Sequence, residues 1–247
     1  MMETGRSGAD PFASGPRAGE PCTVRHAIRD QDRLWTEFLA MSRSVLDGLE
    51  KSIQALCDGR IEVTAEVKAL ERESDREEFR IERQCLRVLA LFEPVASDLR
   101  RMATILKVTR DWERIADLAA RVARRARKLA QADGATPIPE PLKTLGRTVL
   151  EHSRLAYEAL AARDAKLARV VIRGEAAIDR LHRQVRKDLK QSLRPEADTL
   201  DLWLQMLNTA RNLERIADHA SDIALTVVYL EEGLIIRHQG RGKRAGD

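Results

Sequence analysis

Between residues 105 and 129 the apolar positions recur in alternating steps of three and four: Ile105, Val108, Trp112, Ile115, Ala119, Val122, Ala126 and Leu129. That spacing keeps them on one stripe of an α-helix. The same run of steps returns at Met206, Thr209, Leu213, Ile216, Ala220, Ile223, Val227 and Leu230. A stripe this long is what a helix needs to pack along its whole length in an antiparallel bundle. Chain breakers divide the rest: Asp58-Gly59, Pro94, the segment DGATPIPEP at 133–141, Pro195 and Gly233. Between them the pattern predicts six helices, near 28–57, 60–92, 95–131, 141–163, 165–193 and 197–232.

The linker at 133–141 leaves three helices on each side, and the two sides match. Glu113-Arg-Ile-Ala-Asp117 returns as Glu214-Arg-Ile-Ala-Asp218, 101 positions on. Pro94 and Pro195 share that offset, and each is read as part of a first helical turn, where its missing N–H would be unpaired in any case. We therefore expect an all-α protein of two tandem three-helix bundles related by internal duplication. The expected boundaries are a disordered segment at 1–27, a first bundle at 28–132, a linker at 133–140, a second bundle at 141–233 and a mobile basic tail at 234–247.

Composition agrees with helices and narrows the function. The chain is 43% hydrophobic and 33% charged but only 4% aromatic, an Ala, Leu, Arg and Glu profile rather than that of a β-sandwich. A net charge of +4 arises from interspersed signs, so no basic field points to nucleic acid. Cys22, Cys57 and Cys85 form no CxxC and read as free thiols in a reducing compartment. The first residues have no apolar core for a secretory signal, and the longest apolar run, VLALF at 88–92, is too short to span a bilayer. A cytoplasmic location follows as the expectation. The basic run RVARRARK at 121–128 reads as a solvated face that complements a helix C-terminus.

Each repeat places two carboxylates one turn apart on a helix, a spacing that costs a few tenths of a kcal/mol by repulsion. On the helical wheel Glu113/Asp117 and Glu214/Asp218 fall away from the apolar stripe, as an accessible acidic strip. A second pair stands on the middle helix of each half, Glu71/Asp75 and Glu175/Asp179, at an offset of 104, so the hairpin loops differ by three residues. If the middle and last helices are antiparallel neighbours, four carboxylates converge in each half and can hold a divalent or ferric cation. Other acidic pairs, Glu62/Glu66, Glu73/Glu77 and Glu78/Glu82, read as solvated faces. His182, three residues after Asp179, is the better auxiliary ligand; His219 reads as a boundary residue. A di-iron oxidase would need Glu-xx-His on two helices, and no such pair, phosphate loop or nucleophile elbow is present. The expectation is a non-enzyme.

The two ERIAD segments, the turn Pro-Val-Ala-Ser-Asp-Leu-Arg at 94–100 and Arg237-His238 together resemble the PhoU family of accessory regulators of bacterial phosphate uptake. The resemblance spans about residues 35–240. Ala116 and Ala217 stand where that family usually has Gly, Leu70 where Gly is usual (Gly174 is kept), Glu71 where Asp is common and Asp222 where Asn is frequent. The resemblance implies metal sites of Glu71, Asp75, Glu113 and Asp117 in the first bundle and Glu175, Asp179, Glu214 and Asp218 in the second, for iron, zinc, manganese or nickel. It also implies negative control of phosphate uptake and phosphate-responsive signalling. The implied partners are a sensor histidine kinase and the ATPase subunit of the phosphate ABC transporter, with membrane association only through them; a homodimer is compatible with this. The alternative is a metal-responsive helical scaffold regulating another transport system.

Overall fold

A computed structural model describes residues 21–132, 137–191 and 197–235. They form six α-helices: α1 Pro21–Asp58, α2 Thr64–Phe92, α3 Ala96–Gln131, α4 Glu140–Ala162, α5 Ala165–Gln191 and α6 Ala197–Glu232, with one 3-10 turn at Ile61–Val63 and no strand among the described residues. Two of the helix boundaries have a clear local cause. Gly59 takes φ +71 after α1, a left-handed conformation that costs glycine nothing. Before α5, the Asp164 carboxylate accepts hydrogen bonds from the Lys166 and Leu167 N–H groups at 2.8 and 3.0 Å, capping the helix.

Helices α1–α3 pack as one bundle and α4–α6 as another; the two meet along α3 against α6 and α1 against α4, with α2 and α5 outside. Every residue of both 3-4 stripes is buried. The chain direction of α3 against α6 is antiparallel. Arg100 Nε donates to the Leu230 carbonyl at 3.2 Å, while eleven residues further along α3 Asp111 meets His219, eleven residues back along α6. This is a pseudo-twofold relation. The buried residues of both halves form one continuous hydrophobic core. Trp112 of α3 is fully buried and meets Tyr157 of α4 edge-on, with ring centroids 6.3 Å apart.

Several boundaries differ from expectation. Helix α1 begins at Pro21, seven residues early, so part of the segment expected to be disordered is helical; residues 1–20 lie outside the described residues. Pro94 stands two residues upstream of α3 rather than in its first turn, because Glu93 closes α2 in the left-handed conformation. Pro195 lies outside the described residues. So do 133–136 of the linker and 236–247 of the tail, including Arg237-His238. The linker is not a bare spacer, since Ile138 packs against the core.

The buried positions of α1 and α4 superimpose at an offset of 104, as Phe38/Leu142, Met41/Leu145, Val45/Val149 and Leu56/Leu160. Those of α2 and α5 do likewise, as Val67/Val171, Ser74/Ile178, Ile81/Val185 and Cys85/Leu189. This register exposes an exchange of volume. Gly48 of α1 corresponds to His152 of α4, and Leu70 of α2 to Gly174 of α5. A Cβ on Gly48 would lie 3.5 Å from Leu70, and one on Gly174 would lie 3.5 Å from the His152 ring. The large side chain comes from the middle helix in one half and the first helix in the other.

Candidate metal centre

In the first bundle α2 and α3 run side by side and bring Asp75, Glu78, Glu113 and Asp117 into one electrostatic neighbourhood. The Glu113 side chain is only 13% exposed and that of Asp117 26%, so this pair is not the accessible strip that the helical wheel suggests, whereas Asp75 on α2 stays exposed. Burial pushes the Glu113 carboxyl above its ordinary value, and Glu78, Asp75 and Asp117 push it further, against Arg114. Glu78 is raised in the same way, by burial first and then by Glu82 and Asp75, against Arg114 and Arg110. Asp117 accepts two hydrogen bonds from Arg121, at 3.1 and 2.8 Å. Glu71, one turn before Asp75, is half-buried and lines a gap of about 10 Å³ beside Gly48 and Ala116, too small for more than one water. The Ala116 and Ala217 methyls are absorbed into the core.

Glu78 escaped the sequence reading, which set it aside as a solvated face. A signal for it existed. Under the 104-residue register Glu78 corresponds to His182, and both lie three residues after the aspartate of their pair. In the second bundle Glu175, Asp179, Glu214 and Asp218 are all half-buried on α5 and α6. His182 is 4% exposed, and its Nδ1 lies 3.2 Å from Glu214 Oε1. The half-buried Glu78–Glu113 neighbourhood of one half is thus replaced by an imidazole–carboxylate pair in the other. The two candidate centres are related by position but differ in charge.

His219 also has a partner. Its Nδ1 lies 3.1 Å from Asp111 Oδ1, across the junction of the two bundles. Within the basic run, Arg125 turns inward. Its Nη1 is buried without a hydrogen-bond partner, and burial lowers its pKa, with Arg124 and Arg121 adding to the effect. Cys57 and Cys85 are buried free thiols; burial holds Cys85 up at about 12.

The family model for the PhoU domain matches residues 38–126 and again 142–227. The chain belongs to the PhoU family. It is similar to a phosphate-specific transport system accessory protein PhoU homolog of Pseudomonas aeruginosa, 32% identical over 205 residues that cover 83% of this chain and 85% of that protein. A homolog of the same name in Deinococcus radiodurans is 33% identical over 75% of this chain and 86% of its own length. Among solved structures, PhoU from Pseudomonas aeruginosa superimposes with a TM-score of 0.78 at 30% identity, covering 83% of this chain and 99% of that one. The phosphate transport system regulatory protein PhoU from Streptococcus pneumoniae gives a TM-score of 0.76 at 25% identity, over 85% and 99%. Two PhoU repeats on two bundles bear out the duplication. Among the described residues no helix is long and apolar enough to cross a membrane.

Proposed function

We propose that this chain is a non-catalytic regulator of phosphate uptake, acting by docking to a sensor histidine kinase and to the transporter ATPase at the cytoplasmic face of the membrane. The observation that carries the reading is the pair of PhoU repeats in a chain whose close relatives are named as accessory proteins of phosphate-specific transport. Deleting the gene is expected to leave phosphate-responsive transcription switched on in high phosphate. Unchanged transcription would refute the reading.

The carboxylate patches are part of the proposal, as cation sites of Glu71, Asp75, Glu113 and Asp117 and of Glu175, Asp179, Glu214 and Asp218. What supports the first patch is electrostatic: half-burial raises the pKa of Glu113, the carboxylates of Glu78, Asp75 and Asp117 raise it further, and a positive ion would offset that repulsion. Glu78 and His182 join the two sets as their shared third position. An ion bound there stabilises the folded protein by mass action, about 2.7 kcal/mol at a hundredfold excess over its dissociation constant. Asp117→Asn with Asp218→Asn is expected to lower metal content and to reduce the rise in Tm on adding iron, zinc, manganese or nickel. A double variant whose metal content and Tm rise both equal those of the wild-type protein would contradict it.

A further inference from the structure

The junction of α3 and α6 carries a second constellation that lies outside both carboxylate patches. Asp111 of α3 and His219 and Asp222 of α6 each offer one ligand atom, and the three atoms lie within 4.8 Å of one another. All three residues are half-buried. We infer that Asp111, His219 and Asp222 bind one divalent ion of the zinc, cobalt or nickel class at the seam between the bundles.

Geometry comes first. Two ligands bonded to one ion at about 2.1 Å are about 3.0 to 3.4 Å apart, for octahedral to tetrahedral angles; Asp111 Oδ1 and His219 Nδ1 are 3.1 Å apart. Two ligands on one ion can be no more than about 4.2 Å apart, so the widest pair, at no more than 4.8 Å, closes by at most about 0.6 Å, within the travel of a side-chain torsion. The second oxygen of the Asp111 carboxylate, Oδ2, is buried and has no hydrogen-bond partner. A buried acceptor left in that state costs about 1–3 kcal/mol, and an ion bridged by this carboxylate would satisfy it.

Access and selectivity come from the neighbours. Asp111 and Asp222 line an open crevice of about 580 Å³, through which an ion can enter. Lys107 and Arg110 line the same crevice, so a hard cation held by charge alone is opposed there. An imidazole ligand instead favours the borderline metals.

The duplication sets the stoichiometry. At the 101-residue offset Asp111 corresponds to Asn212, His219 to Leu118 and Asp222 to Arg121. The counterpart place on the other side of the pseudo-twofold therefore has no carboxylate and no imidazole. This ion is single per chain, whereas the paired-carboxylate patches come in twos.

The test uses the full-length protein stripped of metal and carrying Asp75→Asn, Asp117→Asn, Asp179→Asn and Asp218→Asn, which removes carboxylates from both patches. Titration with Co2+ is expected to show one equivalent bound per chain with a visible absorption band. Adding either His219→Gln or Asp222→Asn should weaken it at least tenfold. No uptake by the fourfold variant, or uptake indifferent to both added changes, overturns the inference. If that variant does not fold, Zn2+ titration of the wild-type protein followed by imidazole NMR decides. The His219 ring signals should shift with one equivalent while those of buried His152 stay fixed; an unmoved His219 overturns the inference. Loss of metal by the fourfold variant alone would sink this site and leave the carboxylate patches standing, and the reverse result would do the opposite.

Discussion

At the scale of single residues, burial decides which titrations matter. His152 is 6% exposed, with its Nε2 3.0 Å from the Ser221 hydroxyl oxygen, and burial lowers its pKa from 6.5 to about 4. The folded protein holds this ring neutral while the unfolded chain takes up the proton. Stability is therefore unaffected above about pH 6.5 and falls as the pH drops from there to about 4. The loss approaches the order of 3 kcal/mol for a shift of this size. Denaturant midpoints measured across that range should decline, and His152→Gln, which keeps a hydrogen-bonding group, should flatten the decline. A second residue-scale expectation concerns Thr104, whose side chain is fully buried and whose hydroxyl has no partner. Thr104→Val removes an unmet polar group, so Tm should hold or rise, with a gain of up to about 1 kcal/mol. A fall of more than about 1 kcal/mol would mean that the hydroxyl is satisfied in solution.

At the scale of helices, the exchange between Gly48/Leu70 and His152/Gly174 makes a quantitative case. Gly174→Leu should overpack the space taken by His152 and destabilise by about 1–3 kcal/mol. Combined with His152→Gly, it recreates the arrangement of the first half, so the double variant should be more stable than the sum of the singles predicts. Additive effects in chemical denaturation would show that the two halves do not share this packing rule. Helix α2 offers a simpler lever. Glu93 closes it at φ 44 and ψ 55, a conformation that costs a residue with a Cβ roughly 1–2 kcal/mol. Glu93→Gly should therefore raise the stability by about 1 kcal/mol, seen as a higher denaturant midpoint with an unchanged slope.

At the scale of the whole molecule, the repeats are two in sequence but one in packing. The faces of α1, α3, α4 and α6 that meet between the bundles belong to a single core, so neither half buries its apolar surface alone. Calorimetry should show one cooperative transition, with matching calorimetric and van't Hoff enthalpies. Two resolved transitions would mean that the halves unfold independently. The antiparallel register also forms a polar seam. Thr104, Asp111 and Arg125 stand at multiples of seven residues on α3, and Asp111 pairs with His219 of α6. Buried atoms of Thr104, Asp111, Arg125 and Asn212 lack hydrogen-bond partners. Such a junction is less stable than an apolar one, and it is where an ion or a partner can act on both bundles at once.

The amino-acid pattern alone specified the six helices, their ends to within a few residues for five of them, and the duplication. Those are local properties: the 3-4 stripes, the breakers and the ERIAD pair are all visible without a neighbour. It also marked Asp75, Glu113 and Asp117 as close companions, because a one-turn spacing and a short α2–α3 hairpin bring them together. Three-dimensional packing was needed to show that Glu78 belongs among them, that Glu113 is covered rather than accessible, and that Arg125 faces inward. Each depends on which neighbouring helix lies over a boundary position, and a helical wheel has no neighbours. Only it could join Asp111 to His219 and Asp222, because 108 residues separate the first two and the register of α3 on α6 is set by packing across the pseudo-twofold.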